Sequence, residues 1–201
     1  MIYGIVRGII FIIVLSIYLS VCCKLLRNKA QKVVLAIFCL FVAATLAVIP
    51  FENVFLSFQT CESAFQYQQM GSIEKMVGGA NSELVFYRKS GTYTYSSVIF
   101  PKEDGRWKLS NWFDTKIILN TEKDDWNIIV YCYKGEDYYI KLFNAFDSGD
   151  HVISDNQETV FEQANIDYLT YLGYIDWDRQ EYSITIDGTE YAIDLAEGTI
   201  Q

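Results

Sequence analysis

No carboxylate occurs in the first fifty residues. All 25 Asp and Glu lie beyond Pro50, whereas five of the 16 Lys and Arg (Arg7, Lys24, Arg27, Lys29 and Lys32) lie before it. The first fifty residues therefore carry +5 and the other 151 carry −14. Such an acidic second part repels phosphate backbones, so nucleic acid is excluded as an expected partner. Histidine is scarce too, with His151 alone, and the two cysteines beyond Pro50, Cys61 and Cys132, are far apart. Together they supply no zinc-ligand spacing. Walker, Rossmann, kinase, metalloprotease and nucleophile-elbow motifs are missing, as are internal repeats and low-complexity linkers. No cofactor is implied.

What is present organises the chain around its first fifty residues. Ile2–Cys23 is a 22-residue apolar segment with only Arg7 charged, about 33 Å long as a helix against a bilayer core of about 30 Å. Val33–Ile49 adds 17 uncharged residues, about 26 Å and at the short end of the spanning range. Arg7 lies near an end, where its stem reaches the headgroups and makes it an interfacial anchor. The run 24–32 between the segments holds Lys24, Arg27, Lys29 and Lys32 and no acid, which places it in the cytoplasm and everything after Pro50 outside. A signal-peptide reading with cleavage after Ala47 competes with the second span. Cys22 and Cys23 read as small apolar fillers, with juxtamembrane acylation as the alternative.

Beyond Pro50, the spacing of Phe51, Val54, Phe55 and Phe58 predicts one apolar helical face. Thr60 reads as the N-cap of a short helix, Cys61–Gln69, with Cys61, Ala64 and Phe65 inward and Glu62 in the first turn. From Ser72 onward the pattern is strands and turns. Leu84–Lys89 and Thr92–Phe100 flank Ser90-Gly91, setting Leu84 opposite Ser97. A turn is expected over Pro101–Gly105. Asn127–Lys134 and Asp137–Phe143 close through Gly135-Glu136, setting Tyr133 opposite Tyr138, with apolar residues on both faces. Asp187-Gly188 is a type I′ signal that sets Ile186 across from Thr189, Ile184 from Tyr191 and Tyr182 from Ile193. The stretch 148–163 reads as a polar loop with a helical turn near Glu158–Ala164. The fold class is α+β: a two-helix transmembrane hairpin over residues 1–50, then an extracytoplasmic, mostly antiparallel β domain with a short leading helix over 51–201.

Candidate functional residues are few. His151, with acids nearby in sequence, has the chemistry of a pH-responsive group or general base. Asp147, Asp150 and Asp155, with Asn156, are oxygen donors that suit Ca²⁺, without EF-hand spacing; Asp124-Asp125 and Asp176–Asp178 are similar. Tyr174 and Trp177 beside acids have the composition of a sugar-stacking platform, against burial as the default. Cys61 and Cys132 are candidates for a disulfide, which would restrict the unfolded chain by roughly 4 kcal/mol.

Pro50-Phe51-Glu52-Asn53 after the second span, Glu62-Ser63-Ala64-Phe65, Ser82-Glu83-Leu84-Val85 and Trp107-Lys108-Leu109 give the layout its resemblance to small two-span membrane proteins of low-GC Gram-positive bacteria that have no assigned function. The resemblance implies an address in a bacterial cell membrane and no activity. The expected role is a membrane-anchored, non-catalytic extracytoplasmic protein whose partners are the bilayer and another membrane or envelope protein. A carboxylate- or calcium-dependent envelope enzyme and an accessory subunit of a sensor or transporter are the alternatives.

Overall fold

The computed structural model describes residues 2–24, 28–145, 149–165, 169–177 and 181–200. In chain order the helices are α1 (Ile2–Lys24), α2 (Lys29–Val48) and α3 (Cys61–Gln68), with a 3-10 turn over Phe51–Val54. The strands are β1 (Gly71–Gly78), β2 (Ser82–Lys89), β3 (Tyr95–Glu103), β4 (Arg106–Trp107), β5 (Thr115–Lys123), β6 (Trp126–Tyr133), β7 (Asp137–Asn144), β8 (Ile153–Asp155), β9 (Glu162–Asn165), β10 (Leu169–Ile175), β11 (Tyr182–Ile186), β12 (Thr189–Asp194) and β13 (Thr199–Ile200). Two apolar helices are thus followed by a mostly antiparallel β-rich part. The chain forms two compact units, residues 1–70 with 106–111, and residues 71–105 with 112–201.

In the first unit, α2 begins at Lys29 and not at the first apolar residue, Val33. Asn28 is the reason: it is extended (φ −86°, ψ 132°) and its side chain accepts the Ala30 N–H, and the residues that follow are strong helix formers. The helix ends where Ile49 N–H donates to Thr45 O, just before Pro50. The apolar helical face expected over Phe51–Phe58 does not form. A single 3-10 turn buries Glu52 completely and leaves Val54 and Phe55 exposed. The inward position is taken by a carboxylate because a cation waits for it, as described below. α3 follows the sequence closely: Thr60 accepts the Ser63 N–H, and Cys61, Ala64 and Phe65 are buried.

In the second unit a five-stranded sheet, β5-β6-β7-β10-β9, is covered on both faces. On one side Ile128, Val130, Ile140 and Leu142 pack with Tyr182, Ile184, Ile186, Tyr191 and Ile193 of the β11–β12 hairpin. On the other, Tyr133, Tyr139 and Leu172 pack with Val77, Leu84, Phe86 and Ile99 of β1–β3. This is sheet on sheet on sheet, each face burying the alternate residues of a strand.

Turn chemistry decides the registers. The β11–β12 hairpin has the expected partners, Ile186 with Thr189, Ile184 with Tyr191 and Tyr182 with Ile193, around Asp187 (φ 51°) and Gly188 (φ 84°). The β2–β3 loop is longer than two residues: Lys89 N–H donates to Thr94 O, and Leu84 faces Ile99, not Ser97. The slip is two residues, so no side chain changes face. β3 runs on through Pro101 to Glu103, which shortens the expected turn. Between β6 and β7, Lys134 (φ 51°) and Gly135 (φ 76°) both turn left-handed, and Tyr133 faces Asp137 instead of Tyr138. That slip of one residue exchanges the faces. The polar stretch expected as a loop with a helical turn contains β8 and β9, short edge strands on β11 and β10.

Candidate functional site

Arg7 lies one and a half turns into α1, and the chain leaving α2 brings Glu52 to it. One Arg7 Nη2 donates to Glu52 Oε2 at 2.8 Å, to Ile49 O at 2.8 Å and to Tyr3 Oη at 2.7 Å. The guanidinium also sits 4.6 Å from the Tyr3 ring centroid and 4.8 Å from that of Phe51. The ion pair is largely dry, with side-chain exposures of 12% for Arg7 and 1% for Glu52. Arg7 therefore ties the start of α1 to the residues after α2, a role the sequence reading as a headgroup anchor missed. Tyr67 of α3 stacks edge-on to Tyr3 at 6.1 Å, so the same corner gathers all three helices.

Two side-chain amides extend this corner by imitating a strand partner. Asn53 donates Nδ2 to Leu109 O at 2.9 Å and accepts the Leu109 N–H at 2.7 Å. Gln68 treats Ser110 the same way, at 2.8 and 2.7 Å. Lys108 Nζ donates to Asn53 O at 2.7 Å, and Phe58 and Trp107 exchange both backbone bonds. The segment 106–111 is thereby stapled to residues 50–70. Gln68→Ala is expected to release Ser110 and cost about 1 kcal/mol, because a partly buried backbone pair loses both partners. Amide hydrogen exchange at Ser110 is the measurement, and unchanged protection would contradict the staple.

A second polar cluster is buried in the other unit. Asp137 Oδ2 accepts the Asn81 N–H at 2.9 Å and the Ser82 hydroxyl at 2.5 Å, and Tyr174 Oη donates to Oδ1 at 3.4 Å. Ser82 Oγ also lies 2.9 Å from Tyr139 Oη. Burial raises the Tyr139 and Tyr174 hydroxyls above the usual phenol range, and the Asp137 charge adds to it. Gly79 closes the cluster. A Cβ there would strike the Tyr139 hydroxyl and come within 2.8 Å of the Tyr174 ring. Lys141, on β7, stands 5.0 Å over the Phe86 ring, and burial lowers its ammonium. The apolar period of β7 gave no sign of these polar roles beyond the residues themselves.

The residues singled out from sequence do not converge. Among the described residues no group of three His, Cys, Asp or Glu is placed to hold a metal ion. Asp147 lies outside the described residues, as does Asp178, and Asp150 is exposed. Asp155 Oδ1 is occupied by the Gln157 and Thr159 N–H groups at 3.1 and 2.8 Å. Asp124 and Asp125 (φ 47° and 69°) form a β5–β6 turn, where Asp124 accepts the Tyr191 hydroxyl at 2.8 Å. Burial and that carboxylate push Tyr191 up to about 12. Tyr174 and Trp177 are half-buried, Trp177 edge-on to Tyr138 at 4.9 Å, so neither is an open stacking platform. Cys61 and Cys132 are buried as thiols and not as a bridge. Of the four cations between the apolar segments, Lys29 is exposed and Lys32 half-buried in the first turn of α2, Lys24 ends α1, and Arg27 is outside the described residues.

His151 does find a partner. Its Nδ1 is 2.6 Å from Asp187 Oδ2, its ring stands edge-on to Trp126 at 5.0 Å, and Asp187 Oδ1 accepts the Val152 N–H at 3.0 Å. The His151 bond, then the Val152 bond, hold Asp187 below the usual carboxylate range. A depressed carboxylate contributes stability that is present above its unfolded value of about 3.9 and is lost as pH falls through the lower folded value. Asp187→Asn keeps a residue that tolerates the left-handed turn. It is therefore expected to lower Tm at neutral pH and to remove part of the Tm loss between pH 4 and 2. Parallel Tm curves for the two proteins would contradict this. Comparison with known protein families, characterised proteins and solved structures gave no match.

Proposed function

We propose that the chain is a membrane-anchored, non-catalytic binding protein of a bacterial cell envelope. In this reading α1 and α2 cross the bilayer, residues after Pro50 lie outside the cytoplasm, and a second membrane or envelope protein is the partner. The observation that carries it is the bareness of the apolar helices. Of the windows Tyr3–Cys22 and Lys29–Leu46, 6% and 0% is buried, with mean hydropathy 2.5 and 1.8. Leaving such surface in water is unfavourable by about 25 cal/mol per Å², so these helices call for lipid or for other apolar helices. The acid-free basic run between them supports the sidedness. The non-catalytic part of the reading draws support from His151, Asp137 and Asp155, whose bonded atoms hold turns and strands in place.

Sidedness is tested by cysteine labelling. Asn28 and Ser90 are both exposed, and an impermeable maleimide on intact cells is expected to label Ser90→Cys and spare Asn28→Cys. The opposite pattern overturns the orientation, and labelling of both only after lysis overturns the surface location. The subunit reading also has an observation in its favour. Phe11, Val14, Tyr18, Ala36, Cys39 and Ala43 line an almost wholly apolar groove of about 210 Å³ along α1 and α2. A third helix with small side chains would fill it. Crosslinking from Ala36→Cys in native membranes to a second membrane protein favours that reading.

A further inference from the structure

Between Ile49 and Cys61 the chain carries a single charge, Glu52, and that charge is fully buried on Arg7. In a part of the chain that holds −14, this stretch therefore presents an uncharged surface. Its apolar residues divide in two. Phe58 packs on Tyr67 with ring centroids 5.5 Å apart, and Phe51 has the Arg7 guanidinium 4.8 Å from its ring centroid. Val54 and Phe55, by contrast, are 88% and 66% exposed, and Ile49, where α2 ends, is exposed as well. Single apolar side chains in water are ordinary. These are neighbours, and the turn is fixed: the Phe55 and Leu56 N–H groups both donate to Glu52 O, and the Asn53 N–H donates to Pro50 O.

Their place in the first unit says what covers them. The Phe51 N–H and Arg7 Nη2 both donate to Ile49 O, at 2.9 and 2.8 Å, so the turn begins against the end of α2 and the start of α1 at once. The Phe55 ring is 6.0 Å from that of Phe51. Two ring contacts thus separate Phe55 from a guanidinium whose stem leaves α1 about 8 Å from the first residue of that helix. The headgroup zone on each side of a bilayer is about 5–8 Å deep, and apolar faces that lie in it enter to about 5–10 Å. We infer that the turn after α2 is a lipid-contact foot, with Val54 and Phe55 seated in the headgroup and upper acyl region of the leaflet at this end of α1 and α2. Tyr3, edge-on to Tyr67 at 6.1 Å, adds a ring of the kind that suits this zone. The buried ion pair acquires a second use here: by drawing in the only carboxylate of the stretch, Arg7 removes the charge that would keep the turn off the lipid. The inference deepens the reading that α1 and α2 cross the bilayer and rests on it.

The test uses the full chain in nanodiscs of phosphatidylcholine, with amide NMR signals as the readout and two paramagnetic probes. One is a phosphatidylcholine with a nitroxide near the top of its acyl chain, and the other is a gadolinium chelate confined to water. The lipid nitroxide is expected to broaden the Val54 and Phe55 amides as strongly as that of Ile49. The chelate is expected to broaden them several-fold less than the amide of the exposed Ser90. Val54→Asp with Phe55→Asp is expected to reverse the pattern, raising the chelate effect to that at Ser90. Both side chains are exposed, so the fold is expected to stand, and unchanged exchange protection at Leu109, whose N–H Asn53 accepts, checks it. If that protection is lost, the parent protein alone decides. Broadening by the chelate without broadening by the lipid overturns the inference. Protection from both probes identifies a protein cover, such as a second copy of the chain, and overturns it too, as does a pattern that the double variant leaves unchanged. Ile12, in the middle of α1, keeps the two readings apart. Chelate broadening at Ile12 sinks the bilayer-crossing reading itself, whereas chelate broadening at Val54 and Phe55 with Ile12 shielded sinks only the lipid contact.

Discussion

Arg7→Ala is expected to lower the stability of the full chain by roughly 3–5 kcal/mol, the range for removing one partner of a buried ion pair. Glu52 is the reason the figure is large. It is fully buried, and without Arg7 it must either protonate or remain an unpaired charge away from water. Glu52→Ala is expected to cost about 1–2 kcal/mol less, because an arginine stem can carry its charge to water where a short glutamate cannot. Arg7 Nε, Arg7 Nη1 and Glu52 Oε1 are buried without a hydrogen-bond partner among the described residues. The pair is thus incompletely satisfied, and Arg7→Met with Glu52→Leu is expected to recover most of the loss. The measurement is thermal unfolding in one detergent of the parent, Arg7→Met, Glu52→Leu and their double variant, analysed as a double-mutant cycle, with the two Ala variants alongside. Additive losses from the single variants would mean that Arg7 acts only as a headgroup anchor, as its position in an apolar segment suggests.

That contrast marks where sequence reading stopped. The apolar length of α1 and α2 and the Thr60 cap are local properties, and all were legible. Asp187-Gly188 was legible because turn type and alternation agree, since only one face of that hairpin is apolar. The β6–β7 hairpin failed on the same rule. Tyr131, Tyr139, Val130 and Ile140 make both faces apolar, so hydrophobicity cannot tell one register from its neighbour, and only the left-handed Lys134 decides. Edge strands such as β8 are three residues long and too polar to show a period. The Arg7–Glu52 pair is separated by 45 residues and the Asn53–Leu109 pair by 56, and no local pattern announces such partners. Short runs quoted from the sequence fall on these places. Glu52 and Asn53 come from one, Lys108 and Leu109 from another, and Ser82 from a third. Each of them bonds within its own unit, Asn53 to Leu109 in the first and Ser82 to Asp137 in the second.

Asp137→Ala is expected to cost about 3–5 kcal/mol, since three donors aimed at one buried carboxylate lose their acceptor at about 1–3 kcal/mol each, partly offset by relaxation. In a domain of this size that corresponds to a fall in Tm on the order of 10 °C. Asp137→Asn separates hydrogen bonding from charge. Its amide oxygen can take the place of Oδ2 and accept from Asn81 N–H and Ser82 Oγ, while its NH₂ group replaces Oδ1 opposite Tyr174, whose hydroxyl can turn and accept. The Asn variant is therefore expected to lose less than about 1.5 kcal/mol. Gly79→Ala attacks the same cluster by volume, forcing a methyl group between the Tyr139 hydroxyl and the Tyr174 ring, and is expected to cost about 1–3 kcal/mol. Equal losses for Asp137→Ala and Asp137→Asn would show that the charge itself, and not the set of accepted bonds, holds the 79–82 turn onto β7. Protection of the Asn81 amide from hydrogen exchange reports directly on that turn: it is expected to survive in Asp137→Asn and to vanish in Asp137→Ala, because the carboxylate is its acceptor.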